Sequence, residues 1–85
     1  MRGRILFIDD DKAGREVALF NLRGAGYEVT AASDGQEGIS LFSPETFDVV
    51  ITDVKMPGLS GIEILRRIKK QAPEIPVLVL SLIHI

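Results

Sequence analysis

Short runs of apolar residues alternate along the chain with longer segments whose apolar positions recur at helical spacing. The first run, residues 5–8, is apolar throughout and stops at three consecutive acids, which is typical of a strand buried on both faces of a parallel sheet. The predicted elements are strands at 5–8, 28–32, 47–52 and from 76 onward, and helices at about 12–25, 34–42 and 60–71. This β-α-β-α-β-α-β order predicts one α/β domain over residues 1–85, built on a doubly wound parallel sheet.

Local signals support the three helices. Asp11 precedes the first as a cap, and Asp34 and Ser60 are each followed three positions later by a glutamate, the pattern of a capping box. Gly26 is placed to end the first helix. The apolar residues expected to face the core are Ala13, Val17, Phe20, Leu22 and Ala25 in the first helix and Ile62, Leu65 and Ile68 in the third.

Composition narrows the class of protein. An apolar fraction of 46% in 85 residues is enough for one small packed domain. The net charge of -2, from 10 basic and 12 acidic residues, gives no indication of a nucleic-acid or membrane surface. The sequence has no cysteine, so disulfides and thiolate metal sites are excluded. The apolar run near the N-terminus is too short for a signal peptide or a membrane span, and a cytoplasmic protein is expected.

Carboxylates follow two of the predicted strands: Asp9 and Asp10 after the first, Asp53 at the end of the third. Ligands of doubly wound sheets bind beyond the carboxyl ends of the strands, so these acids converge if the two strands are neighbours. An oxygen-only cluster suits Mg²⁺, and a carboxylate beside that ion can accept a phosphoryl group. Acids past strand ends also serve as helix caps, but a pair of acids plus a second strand-end acid favours the functional interpretation. Asp53 is the candidate acceptor, and Asp9 and Asp10 would hold the cation.

Four segments share one family's sequence pattern: residues 5–11 (Ile-Leu-Phe-Ile-Asp-Asp-Asp), 25–30, 32–35, and 48–58 (Asp-Val-Val-Ile-Thr-Asp-Val-Lys-Met-Pro-Gly) followed by Gly61. Together they resemble the receiver domains of bacterial two-component response regulators. The similarity runs almost continuously from residue 4 to about residue 79. The resemblance implies a flavodoxin-like fold with sheet order 2-1-3-4-5, of which this chain would supply 2-1-3-4.

The resemblance also implies a chemistry. A partner histidine kinase or phosphotransfer protein would donate a phosphoryl group to Asp53. Asp10 and Asp53 would be direct Mg²⁺ ligands, Asp9 would act largely through water, and the backbone carbonyl of Lys55 would be a further ligand. Two nearby residues, Lys12 and Arg15, are interpreted as solvated helix residues. Met56 and Pro57 are interpreted as residues that shape the loop after Asp53.

The family's domain is longer, so we expect this chain to be C-terminally incomplete. The usual fourth helix, fifth strand and fifth helix would be missing, together with a lysine that contacts the phosphoryl group. Ser81 falls where the family has a Ser or Thr that hydrogen-bonds a phosphoryl oxygen, but Leu82 departs from the small residue preferred next. Residues 80–85 look like the translation of a transposon-end sequencing adapter, and we hypothesise that they are not native. Amplifying the locus from source DNA tests this, and a native reading frame that ends at Ile85 would overturn it.

Two other functions stay open. The first alternative is a truncated receiver fragment that does not switch, or an interaction module that works without phosphorylation. Neither would transfer a phosphoryl group. A Mg²⁺-dependent phosphohydrolase would need a second acid close after Asp53 as general acid and base, whereas Val54 and Lys55 follow. We therefore expect a phosphoacceptor signalling domain, capable at most of self-phosphorylation and slow self-dephosphorylation, that acts on an output domain outside this chain.

Overall fold

The computed structural model describes residues 3–80 of the chain. Its elements are β1 (Arg4–Ile8), α1 (Lys12–Gly24), β2 (Glu28–Ala32), α2 (Gly35–Leu41), β3 (Val49–Asp53), α3 (Gly61–Gln71) and β4 (Val77–Leu80). Every strand pair is parallel and the sheet order is β2-β1-β3-β4, which confirms the predicted fold. Within residues 3–80, no helix is both long enough and apolar enough to cross a lipid bilayer.

β1 lies inside the sheet and is covered on both faces. Leu6 and Ile8 belong to the larger core, which includes residues of α3, whereas Ile5 and Phe7 belong to a second core against α1. Successive side chains of a strand point to opposite faces, so a strand between two layers of helices must be apolar at every position. This burial explains the unbroken apolar run at residues 5–8.

The predicted helix caps are confirmed by their hydrogen bonds. The side chain at each cap accepts a hydrogen bond from the backbone N–H three residues later. These bonds join Gly14 to Asp11 (2.9 Å), Glu37 to Asp34 (2.8 Å) and Glu63 to Ser60 (3.3 Å). Gly26 adopts a φ of 99° just beyond α1, a conformation that favours glycine, and its N–H donates to the Arg23 carbonyl.

The predicted core face of α1 is largely wrong. Ala18, Leu19 and Leu22 pack against the second core, whereas Val17 is 60% exposed and Phe20 is 81% exposed. Residues three and four apart share one side of a helix, so a face built on 18, 19 and 22 turns Phe20 away and leaves Val17 at the rim, where it borders an open depression with Phe7 and Ile51. The predicted core residues that are exposed are Ala13, Val17, Phe20 and Ala25. Only Leu22 of the predicted set lies on the core side of the helix.

Two smaller predictions also differ from the structure. In α3 the fully buried pair is Ile64 and Ile68, one turn apart, while Ile62 is exposed and Leu65 is half-buried. β3 begins at residue 49 rather than 47, because the N–H of Phe47 donates to the Ser43 carbonyl in a turn. These differences move element faces and ends without changing the topology.

Gly38 sets the distance between α2 and β1. A Cβ at this position would meet the Ile8 side chain, with Cγ1 at 2.8 Å, and Ile8 is fully buried. We expect Gly38→Ala to lower the free energy of unfolding by about 1–3 kcal/mol, as overpacking does, although alanine is the better helix former. Urea denaturation measures the change.

The matched control is Gly24→Ala in α1, where a Cβ would meet no atom within 4 Å. This variant should be neutral or gain up to about 1 kcal/mol from helix propensity. If the two variants shift stability equally, close packing at Gly38 does not set the α2–β1 distance.

Candidate metal centre

Three carboxylates meet at the carboxyl edge of the sheet. The parallel register pairs Ile8 of β1 with Thr52 of β3, so the residues that follow, Asp9 and Asp53, lie side by side. Asp9, Asp10 and Asp53 each offer a carboxylate oxygen, and these oxygens lie within 4.8 Å of one another. Asp10 is exposed and Asp53 is half-buried, so the cluster opens toward solvent.

Asp9 is the most buried of the three acids, with 8% of its surface exposed. Its N–H donates to the Ala32 carbonyl at 3.1 Å, and its Oδ1 accepts from the N–H of Asp11 at 3.0 Å. Burial raises the pKa of the Asp9 carboxyl, and the hydrogen bond from Asp11 opposes that rise. The negative charges of Asp53, Asp10 and Asp11 raise the pKa further. The ionised carboxylates therefore repel one another, and a bound cation would reduce this repulsion.

The donor set fits a hard divalent cation. Carboxylate oxygens bind Mg²⁺ at about 2.1 Å, so two ligands on opposite sides of one ion lie at most about 4.2 Å apart. Of three ligands on one octahedral ion only one pair can be opposite, and adjacent ligands lie about 3.0 Å apart, so oxygens within 4.8 Å of one another would close by up to about 1.8 Å to bind directly. A water between the ion and one carboxylate would also span the difference. The residues present can hold such an ion without rearrangement of the sheet.

The end of β3 is fixed by tight backbone packing. The N–H of Val54 donates to Asp53 Oδ1 at 2.8 Å and also to the carbonyl of Leu80 in β4 at 3.0 Å. The N–H of Gly61, at the start of α3, donates to the Val54 carbonyl at 3.1 Å. A Cβ at position 61 would collide with the Asp53 carbonyl oxygen and lie 2.9 Å from the Val54 Cα. A glycine there lets α3 begin against the strand that carries Asp53.

The other predicted site residues lie on or beyond the loop after Asp53. Lys55 is exposed on this loop, between β3 and α3. Met56 packs against the larger core, in agreement with its interpretation as a loop-shaping residue. Ser81, the predicted phosphoryl contact, lies outside the described residues.

Arg15 was interpreted from the sequence as a solvated helix residue, and this interpretation is wrong. The side chain is half-buried, and its Nη1 donates to the backbone carbonyl of Asp9 at 2.8 Å. Lys12, by contrast, is exposed as predicted. The sequence contained one signal for Arg15, because this residue follows the cap residue Asp11 by one helical turn. Helix side chains lean toward the N-terminus, so an arginine at this position can reach the acids.

A doubly wound parallel sheet with three acids at one carboxyl edge defines an α/β domain with a candidate divalent-cation site. The sequence model of the response regulator receiver domain matches residues 5–84. The chain therefore belongs to the response-regulator receiver domain family, as its sequence predicts.

The proteins that this chain resembles include response regulators and their receiver domains. The response regulator MprA of Mycolicibacterium vanbaalenii is 41% identical over 78 residues, which are 92% of this chain and 34% of MprA. A response regulator receiver domain protein from Clostridium thermocellum superimposes with a TM-score of 0.89 at 45% identity, over 92% of this chain and 64% of that one. The chain thus spans about a third of the length of MprA and about two thirds of the length of the Clostridium thermocellum domain.

The response regulator TrrA of Thermotoga maritima is 36% identical and has been solved in two complexes. The complex with Mg²⁺-BeF superimposes with a TM-score of 0.87, over 92% of this chain and 68% of TrrA. The complex with the histidine kinase ThkA superimposes with a TM-score of 0.85, over 92% of this chain and 67% of that one.

Mutual repulsion in the acid cluster should be measurable as a loss of stability. The folded pKa of Asp9 lies above its ordinary 3.8, so this group's contribution to stability falls as pH rises from 3.8 through the folded pKa. Asp53→Asn removes one charge and keeps the Oδ1 acceptor for Val54. We expect it to stabilise the metal-free chain near neutral pH by about 1 kcal/mol, the repulsion of two close charges in a water-like medium. Urea unfolding across the acidic to neutral range measures this effect.

Asp48→Asn is the control of opposite sign. The pKa of Asp48 is lowered, first by the hydrogen bond from the Arg4 backbone N–H and then by the Arg4 side chain. Its stabilising contribution is present above the ordinary pKa and is lost as pH falls through the lowered one. Asp48→Asn should therefore destabilise the chain near neutral pH. A destabilising Asp53→Asn would contradict the account of the cluster.

Proposed function

We propose that Asp53 accepts a phosphoryl group from a partner histidine kinase or phosphotransfer protein. Asp9, Asp10, Asp53 and the backbone carbonyl of Lys55 would hold the Mg²⁺ that this transfer needs. The observation that carries the proposal is the meeting of three carboxylates at an open sheet edge, in a chain of the receiver-domain family.

The transfer itself needs little from the protein beyond a placed nucleophile. A carboxylate oxygen of Asp53 attacks the phosphorus of a phosphohistidine, an O–P bond forms as the P–N bond breaks, and the imidazole leaves with the electron pair. Bound Mg²⁺ would offset the negative charge on the phosphoryl oxygens. The N–H of Val54 holds Asp53 Oδ1 in place, so the carboxylate is oriented before the donor arrives.

The exposure of the site supports a donor carried by another protein. Among residues 3–80, Asp10 and the loop after Asp53 border surface depressions that open to solvent. Small-molecule enzymes usually bury most of their substrate, which these depressions would not do. A side chain presented by a folded partner could reach Asp53 from solvent, and the relative TrrA has been solved with a histidine kinase.

The domain is proposed to signal rather than to turn over a substrate. The curated relative MprA is about three times the length of the matched segment, so we propose that this domain belongs to a longer cytoplasmic regulator with an output segment. Phosphorylation of Asp53 would be the input to that segment. Slow hydrolysis of the aspartyl phosphate would reset it.

Loss of the acceptor should abolish labelling. The chain is incubated with Mg²⁺ and a small phosphodonor such as acetyl phosphate, and the aspartyl phosphate is detected by its mass and its release by hydroxylamine. We expect labelling of the wild type, with complete loss in Asp53→Ala and loss on chelation of the metal, because the nucleophile or the charge compensation is removed.

Asp48→Asn is the matched control, because Asp48 lies just before the amino end of β3, whereas Asp53 lies at its carboxyl end. It should retain labelling. Equal labelling of the wild type and Asp53→Ala would remove Asp53 from its assigned role.

A further inference from the structure

The side chain of Arg15 crosses from the first turn of α1 to the loop that carries the acids. Its Nη1 donates to the backbone carbonyl of Asp9 at 2.8 Å, and the side chain is half-buried in this position. A hydrogen bond from a charged donor is stronger than one between neutral groups. Arg15 therefore ties the backbone of one candidate metal ligand to a helix.

This tie closes a ring of hydrogen bonds around the acid loop. The N–H of Arg15 donates to the Asp11 carbonyl at 2.9 Å, and the N–H of Asp11 donates to Asp9 Oδ1 at 3.0 Å. The guanidinium then completes the ring back to the Asp9 carbonyl. A Cβ at Gly14 would lie 2.7 Å from Asp9 Oδ2, so the helix also confines the second carboxylate oxygen. Both the backbone and the side chain of Asp9 are thus held from the α1 side.

We infer that Arg15 is a positioning residue for the divalent-cation site, an inference that rests on the proposed function. Three like charges in one cluster repel, and an unrestrained loop would relieve the repulsion by moving Asp9 and Asp10 away from Asp53. The Arg15 bond opposes this movement. The carboxylates then stay together before the cation binds, and binding does not have to order the loop.

Arg15 could instead have a purely structural role, and a second arginine of α1 allows the two roles to be compared. Arg23, near the other end of α1, donates its Nη2 to the backbone carbonyl of Val29 at 3.0 Å. Each arginine joins α1 to the backbone of another segment through one guanidinium bond of similar length, Arg23 to strand β2 and Arg15 to the loop after β1. Only the Arg15 bond ends on a residue of the acid cluster. A positioning role affects metal binding, whereas a structural tie affects stability alone.

The test is Mn²⁺ binding by the 85-residue chain, measured from the electron paramagnetic resonance signal of free Mn²⁺. Mn²⁺ is the probe because it shares the oxygen-rich, octahedral preference of Mg²⁺. Arg15→Ala should raise the dissociation constant about 10-fold, the low end of the range for residues that support metal ligands. Arg15→Lys, which keeps a charged donor, should lose less. Arg23→Ala should bind like the wild type.

Each outcome bears on one claim. If Arg15→Ala binds Mn²⁺ as tightly as Arg23→Ala, the positioning role is overturned while the metal site stands. If the wild type binds no Mn²⁺, the proposed metal site itself is overturned. Far-ultraviolet circular dichroism identifies a variant that fails to fold, and the comparison of Arg15→Lys with Arg23→Lys then decides by the same criterion.

Discussion

The parallel pairing of β1 with β3 is the constraint on which the site depends. Its register places Ile8 opposite Thr52, so the chain leaves both strands at the same edge of the sheet and the acids that follow are brought together. The pairing holds because both strands are deeply buried: Leu6, Ile8, Val50 and Thr52 are inaccessible to solvent. Core burial therefore does more than stabilise the domain, since it fixes the positions of residues more than 40 places apart in the sequence.

The acid cluster works against the stability that this core supplies. Burial and neighbouring charges raise the pKa of Asp9, so its ionised form is costly in the folded chain without a cation. Several local contacts resist the resulting tendency to move apart. The N–H of Asp11 holds the Asp9 carboxylate, the Arg15 guanidinium holds the Asp9 carbonyl, and Gly61 lets α3 pack against the end of β3. A site held together at some cost in stability is typical of functional positions.

The order of elements and the three acids could be predicted from the sequence because each depends on a strong local signal, whereas the order of strands in the sheet followed from the resemblance to receiver domains. An apolar run of four residues ending in acids leaves few alternatives to a buried strand, and caps mark the helix starts. The face of α1 could not be predicted, because apolar residues occur on more than one side of that helix and Phe20 is apolar yet exposed. The role of Arg15 was missed because an arginine in the first turns of a helix is usually solvated. Only the fold shows that its side chain reaches back to Asp9.

We propose that Asp9, Asp10 and Asp53 form one divalent-cation site, in which Asp53 is also the phosphoacceptor. The most direct measurement is a crystal structure of the chain grown with Mn²⁺, with the ion located by its anomalous scattering. We expect one strong peak between the three carboxylates, at direct coordination distance from Asp10 and Asp53 and within reach of Asp9 through water. An ordered cluster with no peak at saturating Mn²⁺, or ions bound only elsewhere, would contradict it.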